Sequence, residues 1–130
     1  MDNPIVYIFA NKGLKMSPGK LASQVAHAVI IMSSNEEQSE LKLWKSTPHK
    51  TIIVLEARDE NHIRNIRQYL LVRGYNTYDV IDEGVNEIDK HTITALSTEI
   101  LEKDNEDVIK TFSSFDLYTE TIKINMEIKL

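Results

Sequence analysis

Six consecutive apolar residues, Ile5–Ala10 (IVYIFA), follow Pro4 and lead into the loop NKGLKMSPG. A run that is short, β-branched, aromatic and apolar at every position reads as a buried strand. Such a strand needs cover on both of its faces. KTIIVLEA (Lys50–Ala57) repeats the pattern after Pro48. Two buried strands with helical sequence between and after them predict an α/β fold.

The punctuation supports this reading. Ser17 is a good N-cap and Pro18 sits at N1, where its missing N–H costs nothing. Leu21, Ala22, Val25, Ala26, Ala28 and Val29 supply an apolar helical face out to about Met32. SSNEEQSELKLWKS predicts a second, surface helix, with Ser34 or Asn35 near its start and Trp44 near its end. After the second strand, Asp59 caps a helix whose Ile63, Ile66, Tyr69, Leu70 and Val72 are expected inward, and Gly74 fits its stop. YNTYDVI is a third strand, DEGVNEIDKH a loop, TITALSTEIL a fourth strand and DNEDVIKTFSSF a short acidic helix. ETIKINMEIKL alternates apolar and polar residues, the pattern of a strand with one buried face. The expected architecture is a single small mixed β-sheet of four to five strands with helices packed on both faces. Residues 1–118 form the domain, and residues 119–130 add an extra strand packed on it.

Composition narrows the function classes. No apolar run approaches the ~18 residues of a membrane span. The N-terminus lacks a basic stretch before its apolar run and does not read as a signal peptide. Cysteine is absent, which removes disulfides, thiol nucleophiles and thiolate metal sites and fits a cytoplasmic setting. A net charge of −5 at first argues against a nucleic-acid partner. The charge is uneven, however: residues 1–75 carry ten Lys/Arg and seven Asp/Glu, whereas residues 76–130 carry five and thirteen. A basic surface can survive on the first half; uneven solvated surface explains the split equally well.

Lys20, Gln24 and His27 fall on one stripe of the first helix, at i, i+4 and i+7. Lys20 lies in the first turn, where a cation opposes the helix dipole. That placement makes sense if an anion is expected there, because free N–H groups, dipole and ammonium together bind phosphate or carboxylate. Gly19 would let a ligand approach the backbone. A solvated lysine and a half-buried structural histidine satisfy the same spacing.

Asp82 follows the third strand. Ligands of α/β sheets bind outside the carboxyl ends of strands. If the first and third strands run parallel, the loops after Asn11 and Ile81 share a rim and Asp82 meets Lys20. An aspartate beside a lysine stays ionised and can orient a water or act as a weak base. A turn aspartate before Gly84 is the alternative. Arg58, Arg64, Arg67 and Arg73 lie on or beside the helix after the second strand, and Arg64 and Arg67, at i and i+3, form either a local basic edge suited to phosphates or ordinary solvated surface. His49 and His62 read as structural. Glu87, Asp89 and His91 alternate in a loop without the fixed geometry a metal needs, so neither metal nor cofactor is expected.

LKMSPGKLASQVAHAV resembles the signature of the second, archaeal/eukaryotic-type peptidyl-tRNA hydrolases. There an Asp-Leu-x-Met-Gly-Lys-Gly-Lys loop enters a helix carrying Ala-Ala-Gln-x-x-His-Ala. The resemblance rests on Leu14, Met16, Gly19, Lys20, Ala22, Gln24, His27 and Ala28, and runs through Trp44, KTIIVLEARDENHIRNI, Gly74, VIDEGVNEI and DKHTITALS, about residues 5 to 118. It implies metal-independent hydrolysis of the ester joining a peptide to the 3′ end of tRNA, by a homodimer of small mixed sheets. It implies catalytic roles for Lys20, Asp82 and Thr94, with Asn86 standing where the family has another threonine. Gly19, Gln24 and His27 are the implied substrate-binding residues. Gly13 replaces the acidic residue of the family's loop, and Pro18 replaces its first lysine. These departures raise the alternative of a weak or inactive relative that binds RNA or protein.

Overall fold

The computed structural model describes residues 1–82 and 91–119. Asn86 and the strand expected at 120–130 lie outside the described residues. Pro4–Asn11 form β1, a short 3-10 turn follows at Lys12–Leu14, and then come α1 (Pro18–Asn35), α2 (Gln38–Ser46), β2 (Ile52–Ala57), α3 (Glu60–Val72), β3 (Thr77–Ile81), β4 (Ile93–Thr98), β5 (Leu101–Glu102) and α4 (Glu106–Phe112). The strands make one mixed sheet of order β2-β1-β4-β3, with β5 also paired to β1.

Alternation along β1 sends its side chains to two cores. Ile5 and Phe9 join Leu55, Ile63, Ile66, Leu70, Leu96, Val108 and Phe112 beneath α3 and α4. Val6 and Ile8 join Ala28, Met32, Leu41, Trp44, Val80 and Ala95 beneath α1 and α2. The uniformly apolar run is thus covered by helices on both faces, as expected. Trp44 secures α2 to the sheet by donating its indole N–H to the Thr51 carbonyl at 3.2 Å.

β1 and β2 are parallel, whereas β4 is antiparallel to both β1 and β3. β1, β2 and β3 therefore point the same way. Their carboxyl ends and the start of β4 meet at one rim.

Four expectations are corrected. The helix after the first strand continues to Asn35, because Ser33, Ser34 and Asn35 bond back to the Ile30 and Ile31 carbonyls instead of capping a second helix. On α3, Ile63, Ile66 and Leu70 are buried, but Val72 is 76% exposed and Tyr69 38%; Val72 lies two residues from Leu70, about 200° around the helix. On α1, Ala22 and Ala26 face solvent, and the buried stripe is Gln24, Ala28 and Met32. TITALSTEIL is two strands rather than one. The Thr98 hydroxyl, not a backbone carbonyl, accepts the Tyr7 N–H at 3.1 Å. The Ile100 N–H turns away to Glu36 Oε1 at 2.8 Å, which interrupts the ladder.

Acidic residues gather at the end of the sheet away from the rim. The Glu36 carboxyl is pushed up, first by burial and then by the nearby Glu40 and Glu99 charges, against the lowering effect of the Ile100 N–H. On the α4 side, the Tyr75 hydroxyl donates to Asp107. Burial, followed by that carboxylate, pushes Tyr75 up to about 12 from 10.0. Burial also pushes Tyr7 and Tyr78 up, so the Tyr75 share is read as a difference: the native protein is expected to show one phenolate equivalent more than Tyr75→Phe, appearing near pH 12. The folded value lies above the ordinary one, so this contribution to stability is complete below pH 10 and lost as pH rises from 10 toward 12.

Candidate active site

The rim is assembled from three chain segments. Ser17 caps α1, its hydroxyl accepting the Lys20 N–H at 3.2 Å, and Pro18 occupies the first turn. This local chemistry fixes where the Lys20 side chain departs. From β3, Asp82 extends to the same place, its N–H donating to the Thr92 carbonyl at 2.9 Å while its own carbonyl accepts the His91 N–H at 2.6 Å. Lys20 Nζ and Asp82 Oδ2 are 2.7 Å apart, with side chains only 12% and 4% exposed. The parallel directions of β1 and β3 thus bring the two residues together.

One turn further along α1, Gln24 is buried, and its Oε1 accepts the Thr94 hydroxyl at 2.5 Å. Thr94 is presented by a bulge: Val80 pairs with Ala95 and Ile81 with Ile93, which leaves Thr94 as the extra residue of β4. Lys20, Gln24, Asp82 and Thr94 form one constellation. His27 does not join it; it faces solvent on α1 rather than sitting half-buried. A Cβ added at Gly19 would meet nothing within 4 Å, so this face of the helix start is open to a ligand.

The loop before α1 owes its course to Gly13. A Cβ there would lie 2.5 Å from the Arg58 carbonyl oxygen and 3.3 Å from Asp59 Cα. Asn11, 2% exposed, was not singled out by its residue type, yet both ends of its amide are engaged at the rim. Its Oδ1 accepts the Gly13 N–H at 3.1 Å, and its Nδ2 donates to the Ile93 carbonyl at 2.9 Å. The available signal was a polar residue closing an otherwise apolar buried run.

The arginines take the structural reading. Arg64 pairs with Glu60 at 2.7 Å, Arg67 with Asp79 at 2.5 Å, and Arg73 lies 3.9 Å from Asp107. Both arginines of the local basic edge, Arg64 and Arg67, and Arg73 beside them therefore already have carboxylate partners. His62 Nδ1 accepts the Arg58 N–H at 2.9 Å. Burial, and then the Arg58 charge, push the imidazole below its usual range. Among the described residues, no cluster of His, Cys, Asp or Glu could hold a metal ion, and no helix is long and apolar enough to cross a membrane.

The family model for the peptidyl-tRNA hydrolase PTH2 matches residues 5–118. The chain belongs to the PTH2 family. A peptidyl-tRNA hydrolase from Methanopyrus kandleri is 32% identical over 85 residues, 64% of this chain and 72% of that protein. One from Thermococcus onnurineus is 32% identical over 89 residues, covering 66% and 75%. Among solved structures, a protein of unknown function from Agrobacterium aligns with a TM-score of 0.51 at 13% identity, covering 92% of this chain and all of that one. That likeness concerns the fold alone. PTH2 membership gives the rim a chemical context.

Proposed function

We propose that the chain hydrolyses the ester between a peptide and the 3′ end of tRNA. The observation that carries this reading is the Lys20–Asp82 pair at 2.7 Å at the rim, in a chain whose residues 5–118 match the PTH2 model. Asp82 accepts a hydrogen bond from water and aims its oxygen at the ester carbonyl carbon. Lys20 stabilises the negative charge that develops on the carbonyl oxygen. The water passes one proton to Asp82 as it attacks; the bond to the ribose oxygen then breaks as that oxygen takes the proton from Asp82, and the new peptide carboxyl loses its own proton to solvent, leaving a peptide carboxylate and free tRNA. The Gln24–Thr94 bond holds the floor of the site, and Thr94 and Asn86 are proposed to steady the water or the peptide carbonyl. Gly19 and His27 are proposed substrate contacts on the exposed face of α1. The acceptor end of tRNA is the proposed partner, a homodimer the proposed assembly and the cytoplasm the proposed compartment.

The test is peptide release from an N-blocked aminoacyl-tRNA by the native protein, Lys20→Ala and Asp82→Asn. Equal rates in all three would remove the site assignment. No release by the native protein would favour the non-catalytic, RNA-binding alternative. The chemistry is proposed to need no metal, so saturating EDTA is expected to leave the rate within about twofold; a loss restored by one divalent cation would overturn that part.

A further inference from the structure

We propose that Asn11 is a positioning residue of this site, acting through the bulge in β4 and the loop that delivers Lys20. The β1–β4 ladder pairs Ile8 with Ser97, Phe9 with Leu96 and Ala10 with Ala95, and stops there. The next pair would be Asn11 with Thr94. The Asn11 side chain takes over at this point: its Nδ2 donates to the Ile93 carbonyl at 2.9 Å, one residue before the bulged Thr94. The β1–β4 ladder has already ended at Ala10–Ala95, and this side-chain bond carries the link between β1 and β4 one step further, to the Ile93 carbonyl. Ile93 is thereby tied to β1 on one side while it pairs with Ile81 of β3 on the other, which fixes the residue next to the bulged Thr94, whose hydroxyl donates to Gln24 at 2.5 Å.

The other end of the same amide acts on α1. Asn11 Oδ1 accepts the Gly13 N–H and caps the 3-10 turn at Lys12–Leu14. Gly13 is pressed against the Arg58 carbonyl. Beyond the turn, Met16 is 7% exposed and Ser17 caps the helix that carries Lys20. One buried amide thus fixes the β4 bulge and the approach to α1 relative to each other. These are the two segments that must keep register for Lys20, Gln24 and Thr94 to converge. Serine or alanine could occupy the volume, but neither has a donor and an acceptor at this separation.

The inference rests on the hydrolase reading, and its test separates the two. Asn11→Ala, Asn11→Asp and a control, Val108→Ala, are compared with the native protein below every unfolding midpoint. Val108 is buried on α4, away from the rim. Asn11→Asp keeps the acceptor for Gly13 and loses the donor to Ile93, and it serves as the test if Asn11→Ala does not fold. The expected result is a kcat for N-blocked aminoacyl-tRNA at least about tenfold lower with KM within about threefold. The 15N-detected ammonium signal of Lys20, read without substrate, is expected to broaden or vanish in the Asn11 variants. Val108→Ala is expected to lose thermal stability while keeping both kcat and the signal. A kcat within twofold of native in the Asn11 variants, or an equal loss in Val108→Ala, would overturn the inference. If the native protein releases no peptide, the hydrolase reading falls and the Lys20 signal decides alone: its persistence in the Asn11 variants overturns the positioning role, its loss upholds it.

Discussion

Asp82→Asn is expected to lower kcat for peptidyl-tRNA hydrolysis by about 10²–10⁴-fold, the usual contribution of a positioned general base. Lys20→Ala should cost about 10²–10³-fold, as for the loss of one oxyanion donor. Both substitutions also reach stability. Breaking a buried pair costs about 3–5 kcal/mol because one desolvated charge is left alone. The Lys20 side chain keeps 12% exposure against 4% for Asp82. A stranded Lys20 ammonium can therefore tilt toward water, and Asp82→Asn should fall at the lower end, whereas a stranded Asp82 carboxylate should fall higher. Lys20→Met combined with Asp82→Leu should recover most of the lost stability while remaining inactive, since apolar replacement of both partners is often neutral. Urea unfolding of the four proteins measures this directly. A double variant no more stable than the worse single would mean that the pair carries little of the coupling.

Gly13→Asp restores the residue type that the family resemblance places in this loop, and it is expected to damage this chain. The new Cβ would lie 2.5 Å from the Arg58 carbonyl oxygen. Backbone cannot give way as a flexible side chain can, so the loop must shift at a cost of about 1–3 kcal/mol, as for overpacking generally. The shift would pull the Gly13 N–H from Asn11 and should lower activity with it. Gly19→Ala is the contrast: the added methyl meets open space, and a helical Gly→Ala change is expected to stabilise by about 0.4–1 kcal/mol. Thermal unfolding midpoints of the two variants should move in opposite directions. Two falls of similar size would show that the close approach at Gly13 is not what limits the loop.

Local chemistry was legible in the sequence. Ser17 and Pro18 mark the start of α1 because a cap and a fixed φ act within one turn. The two β-branched runs and the helix-spaced Ile63, Ile66 and Leu70 fix the layers because periodicity reports burial directly. The meeting of Lys20 and Asp82 could be anticipated from the rule that strand ends share a rim. The features that escaped depend on partners distant in the chain. Arg64 and Arg67 read as a local basic edge because Asp79, the partner of Arg67, lies on another element. The break between β4 and β5 needs a carboxylate from Glu36, 64 residues away. Asn11 needs the Ile93 carbonyl, 82 residues away. His27 shared a helical stripe with Lys20 and Gln24, but a stripe wide enough to include all three also spans the boundary between sheet and solvent.

Lysine carries about 2 kcal/mol of rotamer entropy. At the start of α1 that freedom is surrendered during folding: the backbone of Lys20 is held by the Ser17 cap, and its ammonium by Asp82. An incoming ester therefore does not have to recruit a wandering cation, and the associated entropy loss does not recur with each turnover. The same arrangement makes the resting site electrically silent at a distance, since a paired ammonium and carboxylate present a short-range dipole rather than a net charge. On the proposed reading, Lys20 and Asp82 are set for contact, and the long-range capture of a polyanion must be supplied by other parts of the surface.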